Sequence, residues 1–441
     1  MADNKNSKPG AKPEKLKKEA GKPDQHSKPP KETKSLKASK HPKASKPPKE
    51  TKPPKKTKLS KLSGKLIGNN NLMLAVKAVV VGAAMLSLLM LIIVGADLRP
   101  SALLQGIRNK YAFTHASGDG FPVEFTGGKI LGVSEVTKGT AVLTAARCTV
   151  YDGMGREVDV VNHGLSSPAM KSSGSYVLLF DSMGSDYKLR TLSGDICKGK
   201  TENSIICADV SRSGVFAFVT NSATNNARLV VYSSEGKVLH KWKSVNYKIS
   251  DVALSPSGKY VAICGYSTKK GVLFSNVLIQ QVGEHKNLRE YSLDNTLIAD
   301  IQFDGNACVA AVGDDLAAFF SVKDDKKSIY SYNGRTLNCY DLNHNGEMAF
   351  VFSDYSDGRN ASVIVINDKC VEKANIRTSM TSPYVDLDNG RINLLFQSEV
   401  SCYNYKGKLL EQTDVSVDCQ SLLTSGGKLL AKGVMTLKDI G

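Results

Sequence analysis

The sequence of 441 residues has a single tryptophan, Trp242, and no cysteine before Cys148. Its nine cysteines are odd in number and include no C-x-x-C pair, which argues against a disulfide framework and a zinc knuckle. The motifs G-x-S-x-G, H-E-x-x-H, Walker A and G-x-G-x-x-G are also missing. We therefore expect no cofactor and no enzymatic activity, and we interpret the cysteines as small buried hydrophobic residues.

Aromatic residues are absent from residues 1–71, whereas lysine and proline are abundant there. Residues 1–68 hold 21 lysines and 6 acidic residues, so they carry +15 of the net charge of +17. The motif SKPPKETK occurs at Ser27–Lys34 and again at Ser45–Lys52. Such a composition cannot bury enough apolar surface to offset chain entropy, which predicts a disordered basic arm over residues 1–71.

Three roles for this arm remain open. Its lysines could bind anionic lipid headgroups or nucleic acid, or the arm could be a solvated tail that only fixes orientation. The rest of the chain carries a net charge of only +2, which argues against a nucleic-acid-binding fold there.

One long apolar run follows the arm, from Leu72 to Val94, and Lys77 is its only charged residue. As a helix it would span roughly 34 Å, enough to cross a hydrocarbon core of about 30 Å. We therefore predict one transmembrane helix over residues 72–94. Basic residues near its ends number six before and three after. This asymmetry predicts a single-pass plasma-membrane protein with a cytoplasmic amino terminus and an extracytoplasmic carboxy-terminal domain.

A linker over residues 95–120 is expected to contain a short amphipathic helix. Ser101 can cap it, and Leu103, Leu104, Ile107 and Tyr111 form one apolar stripe. We expect this helix to lie on the membrane surface or on the base of the domain that follows.

Residues 121–441 show an apolar period of two, with short runs separated by Gly, Ser, Asn and Asp. A turn ending in glycine recurs every 35 to 47 residues. The marker glycines are Gly139, Gly174, Gly214, Gly258, Gly305, Gly346, Gly390 and Gly426. Repeats of this length indicate an all-β fold, a β-propeller, with eight blades favoured and seven as the alternative. Phe121–Phe125, FPVEF, is expected to supply the outer strand that the last unit lacks.

The order of segments also carries a resemblance. A membrane helix, a short amphipathic link, GDGFPVE at Gly118–Glu124 and then repeated strands resemble an uncharacterised family of bacterial membrane-anchored propeller proteins. The repeats are similar in outline to WD40 and quinoprotein-type propellers. The resemblance implies an architecture and no catalytic residue, and the lack of adjacent cysteines counts against a quinone cofactor.

One local pattern is a weak metal candidate. Asp341–Gly346 reads DLNHNG, which matches the start of a calcium loop with Asp341, Asn343 and Asn345 as ligands. Its ninth and twelfth positions are Ala349 and Phe352, which offer no side-chain oxygen. Asn345-Gly346 is also a strong hairpin turn by itself, so the metal assignment stays open.

Three functions are compatible with these features. The favoured one is a membrane-anchored extracytoplasmic scaffold that binds a protein, a peptide or a cell-envelope glycan. The second is a tethering or signalling protein whose lysine-rich arm is the cytoplasmic effector. The third is an extracytoplasmic enzyme whose site is assembled from separated blades.

Overall fold

The computed structural model describes residues 77, 79–82, 85, 107–108, 110–126, 128–343, 345–355 and 357–441. The chain divides into two compact units, residues 1–86 and 87–441. In the first unit Lys77, residues 79–82 and Met85 are helical, and the rest of the predicted span 72–94 lies outside the described residues. Within the described part of the chain, no helix has both the length and the apolar character needed to cross a membrane.

The second unit begins, in its described part, with helical residues 107–108 and 110–114. Two members of the predicted stripe, Ile107 and Tyr111, are exposed. Phe113 faces the propeller, since a Cβ added to Gly139 would lie 3.3 Å from its ring. Leu103 and Leu104 lie outside the described residues.

Among the residues that the structure describes, thirty-two strands form eight sheets of four antiparallel strands, which confirms the predicted all-β propeller with eight blades. The first strand, β1 (Val123–Glu124), belongs to the last blade. Blade 1 consists of β2 (Ile130–Val136), β3 (Gly139–Thr144), β4 (Arg147–Asp152) and β5 (Glu157–Asn162). Blade 2 consists of β6 (Pro168–Ser173), β7 (Tyr176–Asp181), β8 (Asp186–Thr191) and β9 (Gly194–Lys200). Blade 3 consists of β10 (Ile205–Val210), β11 (Phe216–Thr220), β12 (Ala227–Tyr232) and β13 (Val238–Ser244).

The remaining blades repeat this order. Blade 4 consists of β14 (Lys248–Leu254), β15 (Tyr260–Lys269), β16 (Val272–Gln281) and β17 (Asn287–Asp294). Blade 5 consists of β18 (Ile298–Asp304), β19 (Cys308–Gly313), β20 (Leu316–Ser321) and β21 (Lys327–Ser331). Blade 6 consists of β22 (Thr336–Asn343), β23 (Glu347–Ser353), β24 (Arg359–Asn367) and β25 (Glu372–Met380). Blade 7 consists of β26 (Tyr384–Asp388), β27 (Arg391–Leu395), β28 (Glu399–Asn404) and β29 (Leu409–Asp414).

Blade 8 joins the two ends of the propeller. It contains β30 (Ser421–Ser425), β31 (Lys428–Lys432) and β32 (Thr436–Asp439), with β1 as its outermost strand. Val123 pairs with Leu437 and Glu124 with Thr436. The expectation that Phe121–Phe125 completes the last unit is therefore confirmed. An outer strand from the other end of the domain closes the ring and covers an edge that would otherwise be unpaired.

The hydrophobic core is divided among the eight junctions between blades. Each of eight buried clusters draws its side chains from two neighbouring sheets. Leu178 and Phe180 of blade 2, for example, pack with Phe216 and Phe218 of blade 3. Because both faces of a sheet are apolar, one blade is stable only between two others, and the packing requires a closed ring.

Seven of the eight marker glycines adopt a positive φ in the turn between the first two strands of a blade. Blade 1 differs, because Lys138 takes the left-handed position with φ of 65° and Gly139 starts β3. The glycine pattern thus located this turn one residue late. An L residue such as lysine in that conformation costs roughly 1–2 kcal/mol.

The GDGFPVE segment is fixed against blade 1 before it reaches blade 8. Ser117 exchanges two backbone hydrogen bonds with Glu157, and Phe121 N–H donates to the Met154 carbonyl at 3.0 Å. Gly120 has φ of 92°, and a Cβ there would lie 2.8 Å from the Met154 oxygen. Glycine is therefore needed at this position both for its φ and for the close backbone approach.

Candidate functional site

The predicted calcium ligands do not converge on one point. The Asp341 carboxylate accepts the backbone N–H of Leu387 in blade 7 at 2.7 Å. The Asn343 side-chain oxygen instead accepts the backbone N–H of Asn345 at 2.9 Å, which closes a local turn. Within the described residues no group of three or more His, Cys, Asp or Glu is placed to hold a metal ion.

Asp341 belongs instead to a repeated arrangement on the innermost strands. Asp209, Asp251 and Asp386 make the same type of bond, accepting the backbone N–H of Leu254, Ile301 and Thr424, respectively. The donor–acceptor distances are 2.7, 3.0 and 2.9 Å. In each pair the carboxylate lies on one blade and the N–H on the innermost strand of the next blade.

These carboxylates accept hydrogen bonds from backbone N–H groups at the inner edge of the blades. The innermost strand of every blade has a partner on one side only, so its other edge leaves N–H groups without a strand partner. A buried N–H without an acceptor costs about 1–3 kcal/mol. The aspartates supply that acceptor and join consecutive blades near the axis. Asp300 makes a variant of the contact, accepting the Tyr340 hydroxyl of the next blade at 2.9 Å.

Lys171, on the innermost strand of blade 2, is a cation close to these aspartates. By accessible area it is exposed, yet its ammonium group lies within electrostatic range of aspartates on three other blades. Burial lowers the pKa of Lys171, but the attraction of Asp209, Asp251 and Asp300 outweighs it and raises that pKa above its usual value. Lys171 can be both exposed to water and strongly affected by burial if it lies in a water-accessible channel along the propeller axis that protein surrounds on all sides.

The same environment affects the carboxylates. Burial raises the pKa of Asp209 to about 6, opposed by the charge of Lys171. Burial, together with the neighbouring charge of Asp386, raises the pKa of Asp341 to about 7. Burial and Asp300 likewise raise the pKa of Asp251. The axis therefore holds carboxyl groups that titrate closer to neutrality than ordinary aspartates.

The strand order defines two faces of the propeller. Because all strands in a blade are antiparallel, the turns between its first and second and its third and fourth strands lie on one face. The remaining connections lie on the opposite face. Phe121 bonds to Met154, in the turn between β4 and β5, so the linker approaches the first of these faces. We call this the linker face and the opposite one the far face.

Large exposed apolar residues are more numerous on the far face. Seven lie in its connections or directly beside them, namely Met183, Val245, Val272, Tyr355, Met380, Val417 and Met435. The linker face has four in corresponding places, namely Met154, Val238, Val371 and Leu409. Tyr355 is 54% exposed in the connection between β23 and β24. The connections of the far face are therefore the more apolar of the two sets.

All nine cysteines are free thiols. Cys148, Cys264 and Cys402 are buried, and the other six are partly buried. Burial raises the pKa of Cys148 and of Cys264 to about 12, so these two remain protonated and unreactive at neutral pH.

Solved propellers share this fold at low sequence identity. The crystal structure of the eukaryotic initiation factor matches with a TM-score of 0.50 and 13% identity, over 75% of this chain and 92% of that chain. The C-terminal WD40 domain of Sif2 matches with a TM-score of 0.51 and 11% identity, over 74% of this chain and 99% of that chain. Such identities establish a shared fold and no shared function.

No curated protein matches the sequence. A family model does match, over residues 132–437, which runs from the first strand of blade 1 to the last strand of the chain. Its description is a family of unknown function, DUF5711, and the chain belongs to this family.

Proposed function

We propose that this chain is a membrane-anchored scaffold whose propeller binds a protein or peptide outside the plasma membrane and catalyses no reaction. The observation that carries the proposal is the far face, where exposed apolar side chains from several blades lie opposite the face that the linker approaches. Tyr and Met are residue types that protein interfaces favour. The WD40-like fold supports the same role, because the propeller fold is generally a protein-interaction scaffold.

The experiment is a pull-down with the soluble propeller, residues 118–441, from envelope extracts. Tyr355→Asp and Val272→Asp place charges on the far face, and Val371→Asp places one on the linker face as a matched control. We expect the two far-face variants to lose a specific partner that the wild type and the control retain. Loss of that partner in Val371→Asp alone would contradict this assignment.

The membrane anchor and its orientation are part of the proposal. The apolar run Leu72–Val94 and the six basic residues before it, against three after it, support a cytoplasmic arm and an extracytoplasmic propeller. Protease added to intact cells should digest the exposed propeller or its linker and leave residues 1–71 protected. Digestion of the arm instead would reverse the topology.

A second function rests on the arm itself. Its charge of +15 supports a tethering or signalling role in which it binds anionic lipid on the cytoplasmic side. Deleting residues 1–58 should then abolish the cellular phenotype while insertion is unchanged. A normal phenotype in the truncated strain would exclude this function.

An enzyme with a site built from separated blades is the third function, and the raised carboxyl pKa values at the axis favour testing it. We assign these carboxylates to structure, since Asp209 and Asp341 each accept a backbone N–H of the next blade. Turnover of a substrate that Asp209→Asn abolishes, with folding intact, would favour an enzyme.

A further inference from the structure

A groove runs along blade 3 where it meets blade 2. It has a volume of about 70 Å³, and its lining combines apolar residues such as Phe218 and Val230 with polar ones such as Thr220. Tyr232 stacks on Phe216 at 5.1 Å between ring centroids and lies edge-on to Phe218 at 6.2 Å, which makes the wall rigid. This volume has room for about five water molecules, or for one aliphatic side chain that displaces them.

The groove has a basic rim. Arg228 lines it and pairs with Glu202 of the connection from blade 2, although its Nε is buried without a partner. Lys241 also lines the groove, and both Lys241 and Lys243 are exposed on β13. Neither lysine forms an ion pair with another described residue. Three cations against one carboxylate favour a ligand that carries negative charge.

The rim is also the edge of a sheet. β13 is the outermost strand of blade 3 and pairs only with β12 in the described structure. In register, Lys241 lies opposite Val230 and Lys243 opposite Arg228, so both lysines lie on the side of the sheet that faces the groove. An extended peptide added to this edge would form a backbone ladder, and its alternate side chains would face the same side.

We propose that this groove binds an extended acidic peptide segment of a partner protein by adding it to β13. Two acidic residues spaced i and i+2 lie opposite Lys243 and Lys241, where cross-strand pairs of opposite charge stabilise a sheet. An apolar residue two positions further on fills the groove beside Val238. The inference rests on the proposed scaffold function and adds a second contact surface, at the edge of blade 3, to the one proposed on the far face.

The test measures binding of a fluorescent nine-residue peptide centred on Glu-Thr-Glu-Thr-Leu to the full-length protein in neutral detergent. A peptide of the same composition with adjacent glutamates, Glu-Glu-Thr-Thr-Leu, is the matched probe. It also controls for attraction to the lysine-rich arm, which does not depend on spacing. We expect the spaced peptide to bind at least tenfold more tightly, and equal affinities would overturn the proposal.

Two variants locate the site. Lys241→Glu should weaken binding about tenfold, whereas Lys286→Glu, an exposed lysine in a turn of blade 4, should leave it unchanged. Val238→Trp should fill the groove, and the Leu peptide should then bind no better than its Leu→Ala analogue. Equal losses in Lys241→Glu and Lys286→Glu would overturn the site.

A different class of ligand would also be visible in this assay. If an acidic oligosaccharide binds, if its binding depends on Lys241 and if neither peptide binds, the ligand of the groove is a glycan and the proposed peptide ligand is wrong. Failure at the groove leaves the scaffold role intact if the far-face variants still lose a partner, so the two proposals fail separately.

Discussion

The carboxylate of Asp209 in blade 3 accepts a 2.7 Å hydrogen bond from the backbone N–H of Leu254 in blade 4. Burial raises the pKa of Asp209 to about 6, although Lys171 opposes the shift. Removing the Asp209 carboxylate from water therefore destabilises the fold, whereas the hydrogen bond to the Leu254 N–H stabilises it. The comparable bonds of Asp251, Asp341 and Asp386 extend the arrangement around the axis.

Two substitutions of Asp209 separate the effect of the hydrogen bond from the effect of the buried charge. Asp209→Ala removes the acceptor and leaves Leu254 N–H unsatisfied, so we expect a loss of about 1–3 kcal/mol of unfolding free energy. Asp209→Asn keeps an acceptor oxygen and removes the charge, and it should cost less. Chemical denaturation of the soluble propeller measures both. Equal losses for Asn and Ala would show that the charge, which both variants remove, matters more than the hydrogen bond.

Asp341 should make stability depend on pH. Its folded-state pKa is raised to about 7, against about 3.9 unfolded, so between these values the folded state binds more protons. The contribution of Asp341 to the free energy of unfolding is therefore fully present below pH 4 and is lost as the pH rises to 7. Asp341→Asn should raise the Tm by a few degrees at pH 8 and little at pH 4, as measured by differential scanning calorimetry.

Asp294→Asn serves as the control for that experiment, because Asp294 is exposed at the end of β17. It should leave the Tm unchanged at both pH values. A difference between Asp341→Asn and wild type that is the same at pH 4 and pH 8 would contradict the assignment.

Gly155 and Gly390 form a matched pair for testing the linker contact. Their φ values are 82° and 80°, so alanine suffers a similar backbone strain of roughly 1–2 kcal/mol at either site. A Cβ at Gly155 would lie 2.5 Å from the backbone nitrogen of Phe121, whereas none lies within 4 Å at Gly390. Gly155→Ala should therefore be the more destabilising by about 1–3 kcal/mol in thermal unfolding. Equal losses of stability in the two variants would show that the segment before β1 moves away from the added Cβ at no cost.

The closure of blade 8 can be tested by truncation. A propeller of residues 117–441 keeps β1, whereas one of residues 127–441 loses β1 and the fully buried Phe125. We expect the shorter protein to unfold at a lower temperature and to associate, because the edge of β32 is then unpaired. Size-exclusion chromatography with calorimetry measures both effects. Identical behaviour of the two proteins would mean that β1 contributes nothing to closure.

Much of the fold could be predicted from the sequence because each blade repeats the same local signals. Turn glycines such as Gly214 need a positive φ, which side chains rarely allow, so they recur at a spacing that is easy to count. Blade 1 differs from this pattern, since Lys138 has the positive φ and Gly139 is the first residue of β3. The outer strand of blade 8 was identified from FPVEF because one unit lacked a strand.

The axial role of the aspartates was missed, and Asp341 was interpreted as a candidate calcium ligand, although a signal for that role exists. In five repeats an aspartate precedes an apolar β-branched residue or leucine shortly before the marker glycine, as in Asp209-Val210, Asp300-Ile301 and Asp386-Leu387. Read one at a time, these residues look like ordinary turn or strand ends. Their role depends on the neighbouring blade, whose N–H lies 38 to 50 residues away in sequence. Aligning the repeats by strand would have shown the column.

The closure strand has a mechanical consequence. Force transmitted along the polypeptide from residues before Ser117 would first load the two backbone bonds to Glu157 and then the two-residue pairing of β1 with β32. Both are short antiparallel contacts at the periphery of their sheets. Tension would thus detach β1 from blade 8 first and then act on β2 of blade 1, which follows β1 in the chain, whereas β30, β31 and β32 at the other end of the chain would carry no load.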